Sequence, residues 1–462
     1  MAAFFGAEEI WSRHDEDGRE PVLLAGVRET SGQTTEEEFE HSLLELSELA
    51  KACMMEPLGT FTQLLPKVNA GLYVGTGKAE EIRAAAEETE ARRVIFNDTL
   101  SPSQIRNLQK TLKLPVMDRT ALILEIFERR ARTREAKLQV ELAKLRYLKP
   151  RLIGMWETQN RQGGASGAMS AKGEGETQLE IDRRTIDHRL TELRRELKAV
   201  GKERETQRKR RQNSGLPMVA LIGYTNAGKS TIMNAMLDRY PANASTQSTP
   251  ERPASSDKRK VFEADMLFAT LDTTVRRITV ERGKEFLLSD TVGFIHKLPT
   301  ALIEAFKSTL EEAVEADLLL QVVDGSDPYC REHIEVTKKT IEELGAGHIP
   351  MITIFNKADL IDPPPSYPRS AMKQLKGAEF RNEDIYISAK EPASIEFLAD
   401  VIFDKLLRGD VEREYLIPYE KGSVLSYLMD HAVVLSTDYT DTGTRVRIRG
   451  SQAVASAVEK IL

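Results

Sequence analysis

Apolar and polar positions repeat with two different periods along the chain, and these periods divide it into regions. Over residues 21–117, short apolar runs such as PVLLAGV and RRVIFND alternate with helical patterns near 36–52, 78–90 and 103–112. Strands alternating with helices are typical of an α/β unit. We therefore predict an N-terminal α/β domain over residues 1–118.

The next region, residues 119–212, is dominated by helical patterns. One pattern ends near Leu148, and a second with apolar heptad positions begins near Glu176. Between them, residues 161–177 contain five glycines and almost nothing apolar, so no backbone conformation is strongly preferred. These features predict a helical hairpin with a mobile glycine-rich tip, and a plain spacer hairpin is the alternative.

Strand and helix patterns alternate again over residues 217–407. The runs VALIG, EFLLSD, DLLLQVVD, PMITIFN and EDIYIS have the composition of buried parallel strands, and helical segments separate them. This order predicts a doubly wound, mainly parallel sheet. Residues 412–462 predict a small α+β domain in the order β-α-β-β-α, so the whole chain is an α/β multidomain protein.

Composition narrows the class of protein. The chain has 462 residues, of which 40% are hydrophobic and 30% charged, as expected for several globular domains. It contains no apolar run of about 18 residues and no signal-peptide core, so we expect a cytoplasmic protein without a membrane span. Its two cysteines are too few for a disulfide framework. We expect a monomer.

A phosphate-binding loop lies between a predicted strand and a predicted helix. It comprises Gly223, Tyr224, Thr225, Asn226, Ala227, Gly228, Lys229 and Ser230. Glycines let the backbone amides turn toward phosphates, the lysine meets the β and γ phosphates, and the serine hydroxyl binds Mg²⁺. The Asn226 amide is expected either to help hold K⁺ or to stabilise the loop by a hydrogen bond.

Two further motifs follow later strands and predict guanine as the base. They comprise Asn356, Lys357, Ala358 and Asp359, and then Ser388, Ala389 and Lys390. The Asp359 carboxylate accepts from the two neighbouring N–H groups that guanine carries and adenine lacks. We expect Asn356 to bond the base and brace the loops, and the Ala389 N–H to bond guanine O6.

The segments that sense the γ-phosphate are also recognisable. One comprises Asp290, Thr291, Val292 and Gly293, in which the carboxylate reaches Mg²⁺ and the glycine amide reaches the phosphate. An earlier switch segment comprises Phe268, Ala269, Thr270, Leu271 and Asp272. Thr270 is our choice for the threonine that contacts Mg²⁺, with Thr273 and Thr274 as rivals.

The expected catalytic groups are Lys229, Thr270 and Gly293. Phe294 stands after Gly293, where Ras-type GTPases carry the glutamine that orients the attacking water. Because phenylalanine cannot do this, we expect slow intrinsic hydrolysis of GTP.

From about residue 22, the chain resembles the HflX family of ribosome-associated GTPases, in the Obg-HflX-like group of the TRAFAC class. The segments that carry the resemblance are YVGTGK at 73–78, LSPSQ at 100–104, Asp118-Arg119-Thr120, RARTREAKLQVELAKLRYLKPRLIGMW, RQGG and GEGETQLEIDRR. The resemblance implies an HflX-type N-terminal domain, a hairpin, a G domain and a small C-terminal domain. It further implies binding to the large ribosomal subunit, ribosome-stimulated hydrolysis, and a role in rescuing, splitting or regulating ribosomes.

The resemblance also bears on the basic block Arg129–Arg151, for which composition alone allows either a solvated helix face or contact with rRNA. In the HflX family the hairpin loop reaches toward the peptidyl-transferase centre, which favours rRNA contact. Three departures stand against the family pattern: the tip sequence GGASGAMSAKGEGE, ATLDTT in place of the commoner ATLDPT, and a long polar stretch at 241–260.

Two alternatives remain from other functional classes. The first is a GTPase associated with RNA modification, which would need its own active site. The second is a nucleotide-gated scaffold with negligible turnover.

Overall fold

The computed structural model describes residues 19–32, 34–162, 171–212, 216–241, 267–268, 273–280, 284–296, 312–361, 385–406, 410–451 and 458–459. The chain forms two compact units. The first comprises 1–204, 264–272 and 293–309, and the second comprises 205–263, 273–292 and 310–462. Two short segments from the second half of the sequence thus belong to the first unit.

A four-stranded parallel sheet forms the core of the first unit, in the order β2-β1-β3-β4. Its strands are β1 Glu20–Glu29, β2 Met55–Leu65, β3 Arg93–Phe96 and β4 Val116–Asp118. Its helices are α1 Glu36–Ala52, α2 Thr76–Glu88, α3 Pro102–Leu112 and α4 Arg119–Arg130. The run VLLAGV of β1 is buried, as expected for a parallel strand between covered faces. The predicted α/β class is confirmed here.

Local sequence explains where three of these helices begin. Thr35 and Glu38 form a capping box at α1, with hydrogen bonds of 3.1 and 2.7 Å. Ser101 does the same with Gln104 at α3, where proline occupies the first turn. At α4 the Asp118 carboxylate accepts from the Ala121 N–H at 2.8 Å. Each cap satisfies amides that the helix leaves without a partner.

Two antiparallel helices follow, α5 Arg134–Gln162 and α6 Ala171–Gln212. Their direction is evident from cross-helix pairs, because Arg134 meets Glu196 whereas the later Glu141 meets the earlier Arg189. The seam between them is apolar and consists of Leu138, Leu142, Ile186, Leu190 and Leu193.

The helix ends differ from those that the sequence predicts. Instead of one helix running from Arg119 to Leu148, α4 ends at Arg130 and α5 begins after a short break at Ala131, whose backbone is extended. Helix α6 begins at Ala171, inside the predicted tip. A helix tolerates glycine at a cost of about 1 kcal/mol, and Ala171 is a strong helix former. Residues 163–170 of the predicted tip lie outside the described residues.

The second unit contains a six-stranded sheet in the order β10-β9-β8-β5-β7-β6. Its strands are β5 Met218–Gly223, β6 Thr274–Val280, β7 Lys284–Asp290, β8 Leu318–Asp324, β9 Met351–Asn356 and β10 Ile385–Tyr386. Its helices are α7 Lys229–Arg239, α8 Cys330–Glu343 and α9 Pro392–Leu406. Only the edge strand β6 is antiparallel among these pairings, so the predicted mainly parallel sheet is confirmed.

A three-stranded antiparallel sheet closes the chain, in the order β11-β13-β12. Its elements are β11 Asp410–Ile417, α10 Gly422–His431, β12 Val433–Thr440 and β13 Gly443–Ser451. This is the predicted β-α-β-β order. Where the last helix was predicted, residues 458–459 are described and are helical. Among the described helices, none is long and apolar enough to cross a membrane.

Candidate nucleotide-binding site

The phosphate-binding loop connects β5 to α7, and two glycines fix its path. Gly223 has φ of +143°, and a Cβ there would lie 2.1 Å from the Val322 carbonyl oxygen. Gly228 has φ of +92°, and a Cβ there would lie 2.1 Å from Asn356 Nδ2. Side chains at either position would clash and would also strain the backbone. The loop can therefore take this path only with glycine at both positions.

Lys229 opens α7 and is buried. Its Nζ donates to the carbonyl oxygens of Gly223 at 3.1 Å and Tyr224 at 2.7 Å. Burial lowers the pKa of this ammonium from 10.5 to about 8, although the charge of Asp290 opposes the shift. The loop thus holds a desolvated cation where phosphates would arrive.

Hard oxygen ligands converge beside this lysine. Ser230 Oγ donates to Asp290 Oδ2 at 2.7 Å, although these residues lie on α7 and at the end of β7. Asp290 is fully buried. The adjacent Thr291 hydroxyl donates to the Leu221 carbonyl at 2.6 Å, which ties the end of β7 to β5. A hydroxyl and a carboxylate in contact are a donor set that Mg²⁺ accepts.

Asn356, at the end of β9, joins the two halves of the site. Its Nδ2 donates to the Ala227 carbonyl in the phosphate loop at 2.9 Å, and its Oδ1 accepts from the Ala389 N–H at 3.0 Å. The bracing that the sequence predicts for Asn356 is therefore present. The Ala389 N–H, which we expected to bond guanine O6, donates to Asn356 instead, so an O6 there would share or replace that bond.

The Asp359 carboxylate is held from the serine-alanine-lysine loop. Ser388 Oγ donates to Asp359 Oδ1 at 2.7 Å, and Lys390 Nζ lies 3.7 Å from Oδ2. The Ser388 hydrogen bond, followed by the nearby charge of Lys390, lowers the pKa of Asp359. An ionised carboxylate can only accept hydrogen bonds, which is the property that recognition of two guanine N–H groups requires.

Asp324 is a part of this site that the sequence analysis missed. Its Oδ2 lies 2.7 Å from the Nζ of Lys357, which has φ of +60°, and its Oδ1 accepts from the Ser326 N–H at 3.0 Å. The pair orients the lysine of the Asn356–Asp359 motif. A signal was available, because Asp324 ends the apolar run DLLLQVVD beside the strand that ends at Asn356.

The switch segments are described only in part. Phe268 is buried with φ of +55°, and its ring meets Phe127 of α4 edge to face, with centroids 4.7 Å apart. Ala269, Thr270, Leu271 and Asp272 lie outside the described residues. Thr274, a rival to Thr270, pairs with Asp290 across β6 and β7. Phe294 is buried and brings no polar group to the position after Gly293.

The peptide after Phe294 is held within the first unit. Arg119 is fully buried, pairs with Glu45, and donates to the His296 carbonyl at 3.3 Å. The preceding Asp118 accepts from the Tyr147 hydroxyl at 2.8 Å and from Arg151 at 3.0 Å. Two neighbouring residues of the predicted family motif thus contact both α5 and this peptide.

The basic block Arg129–Arg151 is less free than its composition suggested. Several of its cations are paired with acids of the same unit. The pairs are Arg129–Glu125, Arg134–Glu196, Lys144–Glu128, Lys149–Asp187 and Arg151–Asp118. Much of the positive charge in the described part of the block is therefore neutralised by internal ion pairs. Paired charges attract phosphate less strongly than unpaired ones.

Neither cysteine has the environment of a reactive thiol. Cys53 is buried, and its Sγ lies 3.8 Å from the Leu122 carbonyl oxygen. Burial raises the pKa of the Cys53 thiol. It also raises the pKa of the Cys330 thiol, which is less buried. Both thiols therefore stay protonated near neutral pH.

The phosphate loop, the Ser230–Asp290 pair and the Asn356–Asp359 motif meet at the carboxyl ends of parallel strands, as they do in P-loop GTPases. Family models match in chain order: GTP-binding GTPase N-terminal at 40–128, GTP-binding GTPase Middle Region at 130–211, and 50S ribosome-binding GTPase at 218–357. The protein is a GTPase.

Curated relatives give the family. The chain is 41% identical to GTPase HflX of Caldanaerobacter subterraneus subsp. tengcongensis over 89% of this chain and 87% of that protein. It is 47% identical to GTPase HflX of Alkalihalophilus pseudofirmus over 74% of each. A solved GTP-binding protein from Sulfolobus solfataricus in complex with GDP covers 84% of this chain and 98% of its own, at 22% identity and a TM-score of 0.42. The chain belongs to the HflX family of GTPases.

Proposed function

We propose that this GTPase binds the large ribosomal subunit and hydrolyses GTP slowly until the subunit accelerates the reaction. The observation that carries the ribosomal partner is the match of residues 218–357 to the 50S ribosome-binding GTPase family, within a chain of HflX type. The GTP cycle would then serve to rescue, split or regulate ribosomes.

At the nucleotide, each group has a distinct proposed role. Lys229 binds the β and γ phosphates. Its ammonium is already desolvated, and hydrogen bonds to two carbonyls of the loop orient it. Ser230 and Thr270 would hold Mg²⁺, and Asp290 would support that ion from β7. An ion held by these residues would neutralise charge that develops on the phosphates. Asn226 is our candidate for a K⁺ ligand.

The slow intrinsic hydrolysis of GTP follows from the presence of Phe294 after Gly293. An apolar ring cannot orient the attacking water, so the chain itself lacks that contribution at this position. Gly293 would still offer its amide to the γ-phosphate. We infer that ribosome binding supplies or orders the missing group, which makes hydrolysis conditional on the partner.

Base recognition is tested by Asp359→Asn. An amide at this position offers a donor to the base and should shift preference from guanine to xanthine nucleotides. Fluorescence titration with GDP and xanthosine diphosphate measures the shift. Lys421→Asn, a change in the three-stranded C-terminal sheet domain, is a control. Unchanged tight GDP binding by Asp359→Asn would remove this residue from the base site.

Ribosome association is tested by cosedimentation of the full chain with separated subunits. We expect binding to the large subunit that weakens with salt, because contact with RNA releases counterions. Since the ion pairs of α5 leave fewer cations for RNA, the proposed contact rests mainly on the tip. Replacing residues 163–175 with a Gly-Ser linker should therefore weaken subunit binding and leave GDP affinity unchanged.

The outcomes of that experiment separate the alternatives. Binding to subunits without stimulated turnover would indicate a nucleotide-gated scaffold. A chain that ignores both subunits and binds unprocessed RNA would indicate a GTPase associated with RNA modification.

A further inference from the structure

A histidine outside the nucleotide motifs packs directly against the phosphate-binding loop. His333 lies in the first turn of α8, and its imidazole stacks on the ring of Tyr224. The ring centroids are 3.7 Å apart and the planes differ by 12°. Both residues are buried, each with 6% of its surface exposed. The second residue of the loop is thus clamped from α8.

The helical turn that carries the imidazole is held by backbone hydrogen bonds, and an acidic side chain lies beside the ring. The backbone N–H of His333 donates to the Tyr329 carbonyl at 3.2 Å, and the Thr337 hydroxyl donates to the backbone carbonyl of His333 at 2.8 Å. Nδ1 lies 3.6 Å from Asp327 Oδ2, while Asp327 Oδ1 accepts from the Tyr329 N–H at 2.8 Å. The first turn of α8 therefore places the ring between Tyr224 and Asp327.

Tyr224 passes this constraint to the catalytic lysine through its backbone. Its carbonyl oxygen is the nearer of the two that accept from Lys229 Nζ, at 2.7 Å. Its neighbours in the loop include Gly223 at φ of +143° and the exposed Asn226 at φ of +59°. The stack on His333 therefore holds the Tyr224 ring in place, whereas the neighbouring loop residues are constrained mainly by their backbone angles.

We propose that His333 is a positioning residue for the phosphate-binding loop, holding Tyr224 so that the Tyr224 carbonyl orients Lys229 toward the phosphates. The role rests on the nucleotide site proposed above and adds a residue that no loop motif contains. Preorganising the loop lowers the ordering cost of binding, so its loss should weaken phosphate binding. A stacked pair contributes up to about tenfold to an equilibrium constant.

The test compares His333→Ala with His333→Phe in the full chain, using fluorescent GDP. We expect His333→Ala to weaken GDP affinity roughly fivefold to tenfold, mostly through faster dissociation. His333→Phe keeps a flat ring against Tyr224 and should remain within about twofold of wild type. His348→Ala, which changes an exposed histidine elsewhere in the same unit, is the matched control and should leave affinity unchanged.

A purely structural role would show itself in a different pattern. If the alanine and phenylalanine variants bound GDP alike, whether both weakly or both normally, the stack would have no positioning role. Should His333→Ala fail to fold, Tyr224→Leu in its place must weaken GDP binding while His333→Phe does not; normal binding by Tyr224→Leu would also overturn the proposal. Absence of GDP binding by the wild-type chain would instead refute the proposed nucleotide site.

Discussion

We predict that the buried ammonium of Lys229 makes phosphate binding sensitive to pH in a range where ordinary lysines stay fully protonated. Its pKa is lowered to about 8 because burial removes the ammonium from water. A bound diphosphate places negative charge beside Nζ and restores the preference for the charged form. The free protein and the complex therefore differ in proton content above pH 8.

The direction and size of the effect follow from this difference. As pH rises through about 8, the free protein loses a proton that the complex keeps, so binding takes up a proton and affinity falls. Between about pH 7.5 and about pH 8.7, the protonated fraction of a group with a pKa near 8 falls roughly fivefold. A lysine with its ordinary pKa would stay almost fully protonated over that interval.

Isothermal titration calorimetry with GDP measures both consequences. GDP affinity should fall roughly fivefold across the interval, and titrations in buffers of different ionisation enthalpy should reveal proton uptake that grows with pH. The interval begins where the phosphates are mainly ionised and ends below the pKa of the guanine N1–H. Partial ionisation of the base changes affinity by far less than about fivefold, so most of the change can be assigned to the protein.

Lys229→Arg is the control, because a guanidinium remains charged throughout this range. Whatever affinity that variant retains should not depend on pH. A flat profile for the wild-type chain, without proton uptake, would show that the ammonium keeps its ordinary pKa. The link drawn between burial of Lys229 and phosphate binding would then be wrong.

Two further substitutions test the packing of the site and of the hairpin base. Gly228→Ala should abolish tight GDP binding, because the new Cβ would lie 2.1 Å from Asn356 Nδ2 and the backbone has φ of +92°. Titration with fluorescent GDP measures this loss. Near-wild-type affinity would show that the loop can relax around the added methyl group. Arg151→Met leaves the fully buried Asp118 without its cationic partner. It should lower the free energy of unfolding of the first unit, measured in urea, by about 3 kcal/mol. A decrease within about 0.5 kcal/mol would show that the ion pair is dispensable.

The nucleotide motifs could be placed from the sequence because each is short and its context is local. Gly223 to Ser230 had to follow a strand and open a helix, and Asn356 had to end a strand. Parallel topology then brings such strand ends to one edge of a sheet. Distances, the ionisation of Lys229, and the bond from Ala389 to Asn356 required coordinates.

Other features depend on residues far apart in the sequence. The stack of Tyr224 on His333 and the buried pair Arg119–Glu45 have no local pattern, since each joins separate elements. The end of α4 was also not predicted, because the break at Ala131 interrupts a stretch whose composition is helical throughout. The ion pairs of the Arg129–Arg151 block could not be predicted for a related reason, because its acidic partners lie partly on other helices.

Single-turnover hydrolysis of GTP, with and without purified large ribosomal subunits, tests the central claim most directly. The isolated chain should hydrolyse GTP slowly, since Phe294 supplies no water-orienting group, and large subunits should accelerate the reaction by at least about tenfold. Small subunits at the same concentration should have little effect. Fast hydrolysis by the isolated chain, or a rate that large subunits leave unchanged, would contradict the account.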